Sequence, residues 1–181
     1  MNFTIEQRRF TLRSEYDISG PGCNYYAQKK FFSFLDKLKL LAGNRDIVAR
    51  VKSRFYLFRP KYVFELSDGT LYRFECVKLW KGVSKCEGNG ERYWLYEHEG
   101  LRCSIFQDNR QIAAFTKNRV KIGKGDQYHI RMNADANIVI VICLALTVDL
   151  TENERDEASV TFDFGNIGPE EKPFDESWEP S

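Results

Sequence analysis

Histidine is scarce in this chain, its cysteines are odd in number, and no apolar run is long enough to cross a bilayer. Each shortage excludes something. The two histidines, His98 and His129, sit in no recognisable nucleophile–base pattern. His98 stands between Glu97 and Glu99 beside a turn at Gly100, a surface setting, and His129 follows Tyr128 in an expected strand. Both read as structural. The five cysteines, Cys23, Cys76, Cys86, Cys103 and Cys143, contain no CxxC pair, so they outline neither a zinc framework nor a disulfide scaffold. A reducing, cytoplasmic compartment is the corresponding expectation. The opening MNFTIEQRRF has no apolar h-region behind its charges and reads as no secretory signal. Gly123-Lys124-Gly125 lacks the rest of a phosphate loop. No catalytic residue, metal ligand or cofactor motif emerges, and the chain reads as a non-enzyme.

What is present is the composition of a folded domain. Of 181 residues, 43% are hydrophobic and 14% aromatic, with 29% charged, enough for one sizeable core and a wet exterior. The net charge of +1 hides an uneven distribution. Ten acidic and two basic residues occupy Glu152–Ser181, leaving 25 basic and 16 acidic residues before it. A basic body therefore carries an acidic end. That end reads either as a solvated terminus or as a segment competing with an anionic partner for the basic surface.

Between Phe3 and Met132 short runs rich in Phe, Tyr, Val and Ile alternate with polar residues, the period of a half-buried strand. Turn chemistry punctuates them at Ser19-Gly20-Pro21-Gly22, Gly43-Asn44, Ser67-Asp68-Gly69, Gly88-Asn89-Gly90, Gly100, Asp108-Asn109 and Gly123-Lys124-Gly125-Asp126. Tyr62–Leu66 and Leu71–Val77 flank one such turn and read as a hairpin. Segments at Tyr26–Phe31, Val48–Lys52 and Ala113–Lys117 share an apolar-small pair followed by basic residues. Their uneven spacing fits a meander, not a solenoid.

Ile138–Leu150 reads IVIVICLALTVDL. As a helix it would be about 20 Å long, short of a bilayer core of roughly 30 Å. As a strand it would run about 43 Å, beyond the usual strand. The β-branched run Ile138–Ile142 favours a strand, whereas length and context favour a helix apolar all round and wrapped by a sheet. Asn133, Asp135 and Asn137 can cap its start. Asp149 is poorly placed for the helix dipole and is expected to face water or a turn at a barrel mouth. Together these elements predict a mainly β protein: a closed antiparallel barrel of about twelve strands enclosing a hydrophobic C-terminal helix near 136–150. A barrel that wide needs something to fill it.

This order of elements resembles the tubby-like superfamily, and within it the LURP-one-related proteins, with the phospholipid scramblases as more distant relatives. The resemblance runs from about Phe10 to Leu150. It rests on YYAQKKFFSF, DIVARVKSRF, YVFELSDGTLYRFE and QIAAFTKN, and above all on NADANIVIVICLALTVDL, with Asp135, Ile138–Val148 and Asp149 in the family's closing pattern. It implies a twelve-stranded barrel around a central hydrophobic helix. Tubby proteins bind phosphoinositide headgroups through basic residues, while LURP-one-related proteins mostly lack a defined activity. No ligand residue is carried over by position. A scramblase-like calcium segment would need several carboxylates, where this chain offers Asn133, Asp135 and Asn137.

The functional lead is basic alternation. Arg50, Lys52 and Arg54 share one face of an expected strand, and Lys117, Arg119 and Lys121 share one face of another. Lys29 and Lys30 stand at the first stripe's repeat equivalent. Should such strands lie side by side, their repulsion would be relieved by a bound phosphate. These eight residues form the candidate anion site; otherwise they are the wet outer faces of barrel strands. The expected role is a non-catalytic binding or scaffolding module, peripheral to a membrane and recognising anionic lipid headgroups or a protein partner. A small hydrolase with an unrecognised site is the alternative. Tyr25, Tyr26, Phe31 and Phe32 around Lys29 and Lys30 superficially fit a nucleic-acid stacking platform, but near-neutral charge and the acidic end argue against nucleic acid.

Residues 152–181 read as a partly flexible extension. Thr151 and Glu154 have capping-box spacing, Val160–Phe164 alternates like an edge strand, and beyond Gly165 the composition predicts a mobile end. Trp178 either docks back on the barrel or anchors a partner.

Overall fold

A computed structural model of the chain describes residues 1–10, 13–29, 36–54, 61–78, 81–118, 125–157 and 171–181. Twelve strands come first: β1 (Asn2–Phe10), β2 (Arg13–Gly20), β3 (Cys23–Lys29), β4 (Asp36–Ala42), β5 (Ile47–Arg54), β6 (Lys61–Leu66), β7 (Leu71–Lys78), β8 (Val83–Gly88), β9 (Glu91–His98), β10 (Arg102–Gln107), β11 (Arg110–Asn118) and β12 (Gln127–Met132). One helix, α1 (Ile138–Glu157), follows. Each strand pairs antiparallel with the next, and β1 pairs with β12 to close a barrel. Closure leaves no unpaired sheet edge.

The expected turns fall at strand junctions. Asn89 (φ 50°) and Gly90 (φ 76°) join β8 to β9, the pair of positive φ values a two-residue hairpin turn requires. Ser67-Asp68-Gly69 joins β6 to β7, with Asp68 Oδ1 accepting from Thr70 N at 2.8 Å. Gly123 and Lys124 lie outside the described residues, as does the alternating Val160–Phe164 segment.

Alternation sorts the side chains. The inner row Tyr16, Ala27, Leu40, Ala49 and Leu66 lies in register across β2 to β6, mixing large and small residues as a confined interior demands. All four alanines of the repeated segments, Ala27, Ala49, Ala113 and Ala114, are buried. The outward positions of β5 and β6 include Arg50, Lys52, Arg54, Lys61 and Glu65. No described helix is long and apolar enough to cross a membrane.

Helix α1 fills the barrel. Ile140 to Leu146 are 0–1% exposed and belong to one core with the inward side chains of the strands. Burial at about 1.5–3 kcal/mol for each large apolar side chain makes this packing the main source of stability. Asn137 starts the helix: its Oδ1 accepts from Ile140 N at 3.3 Å and its carbonyl from Val141 N at 3.0 Å. Asp135 instead pairs with Arg110 on the surface.

Three expectations about the helix are corrected. It continues past residue 150 to Glu157, and Thr151 does not cap a new element. The Thr151 hydroxyl donates back to the Thr147 carbonyl at 2.9 Å, within a continuous helix. Asp149 does not face water; it is 0% exposed, because a buried cation reaches it.

Candidate functional site

The predicted basic residues do not form one site. Strands β5 and β11 stand six positions apart around a ring of twelve, so their stripes occupy opposite walls. Arg119 and Lys121, with Lys30, lie outside the described residues. Ala49 and Val51 point inward on β5, which turns Arg50, Lys52 and Arg54 outward. On β3, Lys29 shares the inward phase of Ala27 and is half-buried. On β11 the inward phase is Ala113, Phe115 and Lys117, and Lys117 is 7% exposed. Lys117 is therefore no member of a solvent-facing stripe.

The outer face around β5 is partly neutralised. Lys52 pairs with Glu65, and Lys61 with Glu75 at 3.2 Å. Lys39 of β4 stands directly opposite Arg50 in the ladder. Arg54 stands opposite Lys61. At the rim, Arg45 covers the Tyr26 ring at 4.6 Å. An open cleft of about 500 Å³ lies beside it, lined by Gly20, Gly22, Cys23, Asn24, Tyr25, Ala42, Gly43 and Asn44, none of them charged.

Inside the barrel, at the end reached by the later turns of α1, Lys117 meets three carboxylates. Its Nζ lies 2.9 Å from Asp149, 3.1 Å from Asp126 and 2.6 Å from Glu152. Asp149 also accepts from the hydroxyls of Tyr128 and, at 2.6 Å, Tyr16. Gln7 donates to the Tyr16 hydroxyl at 3.3 Å and accepts from Asp126 N at 3.1 Å. Burial works against the charged form of Lys117, but Asp149 and Glu152 outweigh it and hold the ammonium pKa above its ordinary value. Burial would likewise raise Asp149, yet Lys117 and the two tyrosine hydroxyls hold its carboxyl below the ordinary range. Burial, and then Asp149, push the Tyr128 hydroxyl well up. Both directions favour a charged pair, the ammonium of Lys117 against the carboxylate of Asp149. The network pins the plug: sliding α1 by one turn, about 5.4 Å, would leave Asp149 buried without its cation.

A third feature lies on the outer wall. Residues 171–181 run across β9 to β12, so Trp178 and its neighbours do dock on the barrel. Phe174 packs edge-on against His98, with ring centroids 5.2 Å apart, and the Arg102 guanidinium stacks on the same ring at 4.6 Å. Arg102 also pairs with Glu176 at 2.8 Å, and Arg131 approaches the Trp178 ring at 5.9 Å. His98 is consequently buried, against the expectation of a surface position, and its Nε2 lies 2.8 Å from Ser104 Oγ. A serine–histidine contact is the chemistry of an activated nucleophile, but here the phenylalanine ring covers it. Among the described residues, no group of three or more His, Cys, Asp or Glu side chains could hold a metal ion.

No family model matches the chain, and neither a curated protein nor a solved structure is similar to it.

Proposed function

We propose that the protein is a non-catalytic, tubby-like binding module that recognises anionic phospholipid headgroups through the outer face of β4 and β5. The supporting observation is that Lys39 stands directly opposite Arg50, whose other ladder neighbour, Glu65, pairs with Lys52. Like charges directly opposite each other in a ladder repel, and a phosphate held between them would turn repulsion into two charge-assisted hydrogen bonds. Arg54, exposed at the end of the same strand, extends the patch. Vesicle sedimentation tests the reading. The chain should pellet with phosphatidylserine vesicles more than with phosphatidylcholine vesicles, and added salt should release it. Lys39→Glu combined with Arg50→Glu should reduce pelleting about tenfold or more, since each cation near an anionic surface contributes about 1 kcal/mol. Equal pelleting on both vesicles, or no effect of the substitutions, would discard it.

The hydrolase reading has one observation in its favour, the contact between His98 and Ser104. Turnover in an esterase and phosphatase panel, lost on His98→Gln, would replace the binding reading with an enzymatic one.

A further inference from the structure

We propose that the outer face of β9 to β12 is a docking groove for a short acidic peptide segment of a partner protein, and that residues 171–181 occupy it in cis. The groove lies across the barrel from β4 and β5 and is independent of any lipid-binding patch there.

The occupant defines the ligand chemistry. Glu171 pairs with Lys78, and Lys172 lies over the Phe106 ring at 3.8 Å. Phe174 contacts both His98 and Arg102, while Glu176 pairs with the same guanidinium. Trp178 reaches Arg131. The segment reads acidic-basic-Pro-Phe-acidic-acidic-Ser-Trp, and its engaged residues Lys172, Phe174 and Trp178 are half-buried while their neighbours are exposed. Aromatic anchors flanked by carboxylates meet a wall of cations and rings. That is complementarity of charge and shape, as in a peptide interface.

The mode of attachment makes exchange feasible. The segment is held by side chains along most of its length, with a backbone contact from Ala134 N to Ser181 O at 3.0 Å at its end. It adds no strand, because the closed barrel offers no edge. Exposed ion pairs such as Arg102–Glu176 contribute little each, so a partner segment with the same two aromatic anchors can displace the cis occupant. The effective concentration of the tethered segment sets the threshold.

A fluorescein-labelled peptide of sequence EKPFDESWEPS, titrated with full-length chain and followed by anisotropy, tests this. The full-length Phe174→Ala, Glu176→Lys, Trp178→Ala variant, with its own segment loosened, should bind the peptide at least about tenfold more tightly than the unaltered chain, the factor expected when the cis segment fills the groove nine-tenths of the time. Adding Arg102→Glu should abolish that binding. Should the triple variant fail to fold by circular dichroism, Phe174→Ala alone removes the ring seated against His98 and Arg102 and should give the same order of affinities. Equal binding to loosened and unaltered chains, or none to either, overturns the proposal. A concentration-dependent dimer of the unaltered chain that Arg102→Glu dissolves would overturn it too, by making a second copy the occupant.

Discussion

Lys117 shows what a single residue determines here. Its ammonium is the described cation in contact with Asp149, which is wholly buried. Lys117→Met should therefore cost about 3–5 kcal/mol in urea unfolding, the price of stranding a buried charge. The pH dependence should also reverse in sign. In the native chain the carboxyl of Asp149 is held below its ordinary value of 3.8, so its contribution is present above that value and is lost as pH falls through the folded one. Without Lys117, burial raises that carboxyl instead, and the variant should gain stability between about pH 7 and about pH 5. A variant that loses stability over that interval would show that Lys117 does not set the ionisation of Asp149. Lys117 itself, held above its ordinary value, contributes below 10.5 and loses that contribution only as pH rises through the folded value. Neither partner was legible from alternation alone. Ile112 to Phe115 are four apolar residues in a row, which hides the phase of β11 and makes Lys117 look outward. The available signal was Asp149 between Val148 and Leu150, a charge inside an apolar run that calls for a buried cation.

At the scale of elements, the start of α1 is set by one side chain. Asn137→Ala removes the acceptor for Ile140 N and should cost about 1 kcal/mol, read as a fall in thermal midpoint of roughly 2–4 °C for a chain of this size. An unchanged midpoint would mean that packing in the barrel alone positions the first turn. The start was readable because Asn137 directly precedes the apolar run. The helix end was not, because Thr151 and Glu154 carry the spacing of a start signal and the surrounding polar residues resemble a loop. Burial of Thr147 and Thr151 inside the barrel, each hydroxyl bonded to the carbonyl four residues earlier, carries the helix through. The hairpin at Ser67-Asp68-Gly69 was readable for the opposite reason: turn residues and two alternating flanks all agree.

On the scale of the whole molecule, wall and plug depend on each other. A helix apolar on every side has no stable existence in water, and a twelve-stranded ring without it would enclose a void. Unfolding should therefore be a single event, and the thiols report it. Cys23 is half-exposed, while Cys76, Cys86, Cys103 and Cys143 are buried. Burial pushes the Cys143 thiol up to about 12 and raises Cys103 well above its ordinary value, which suppresses the reactive thiolate. A thiol reagent should titrate one sulfur at once and the other four only at the rate of global unfolding; two or more early sulfurs would show that part of the wall opens separately. The barrel and its plug were legible because length arithmetic on residues 138–150 leaves few alternatives, whereas the docked end was hidden by a composition typical of mobile termini. Among the described residues the cylinder is stoppered by its own chain, so its lumen is taken up by the plug rather than left hollow for cargo, and its skin is the surface it presents to other molecules.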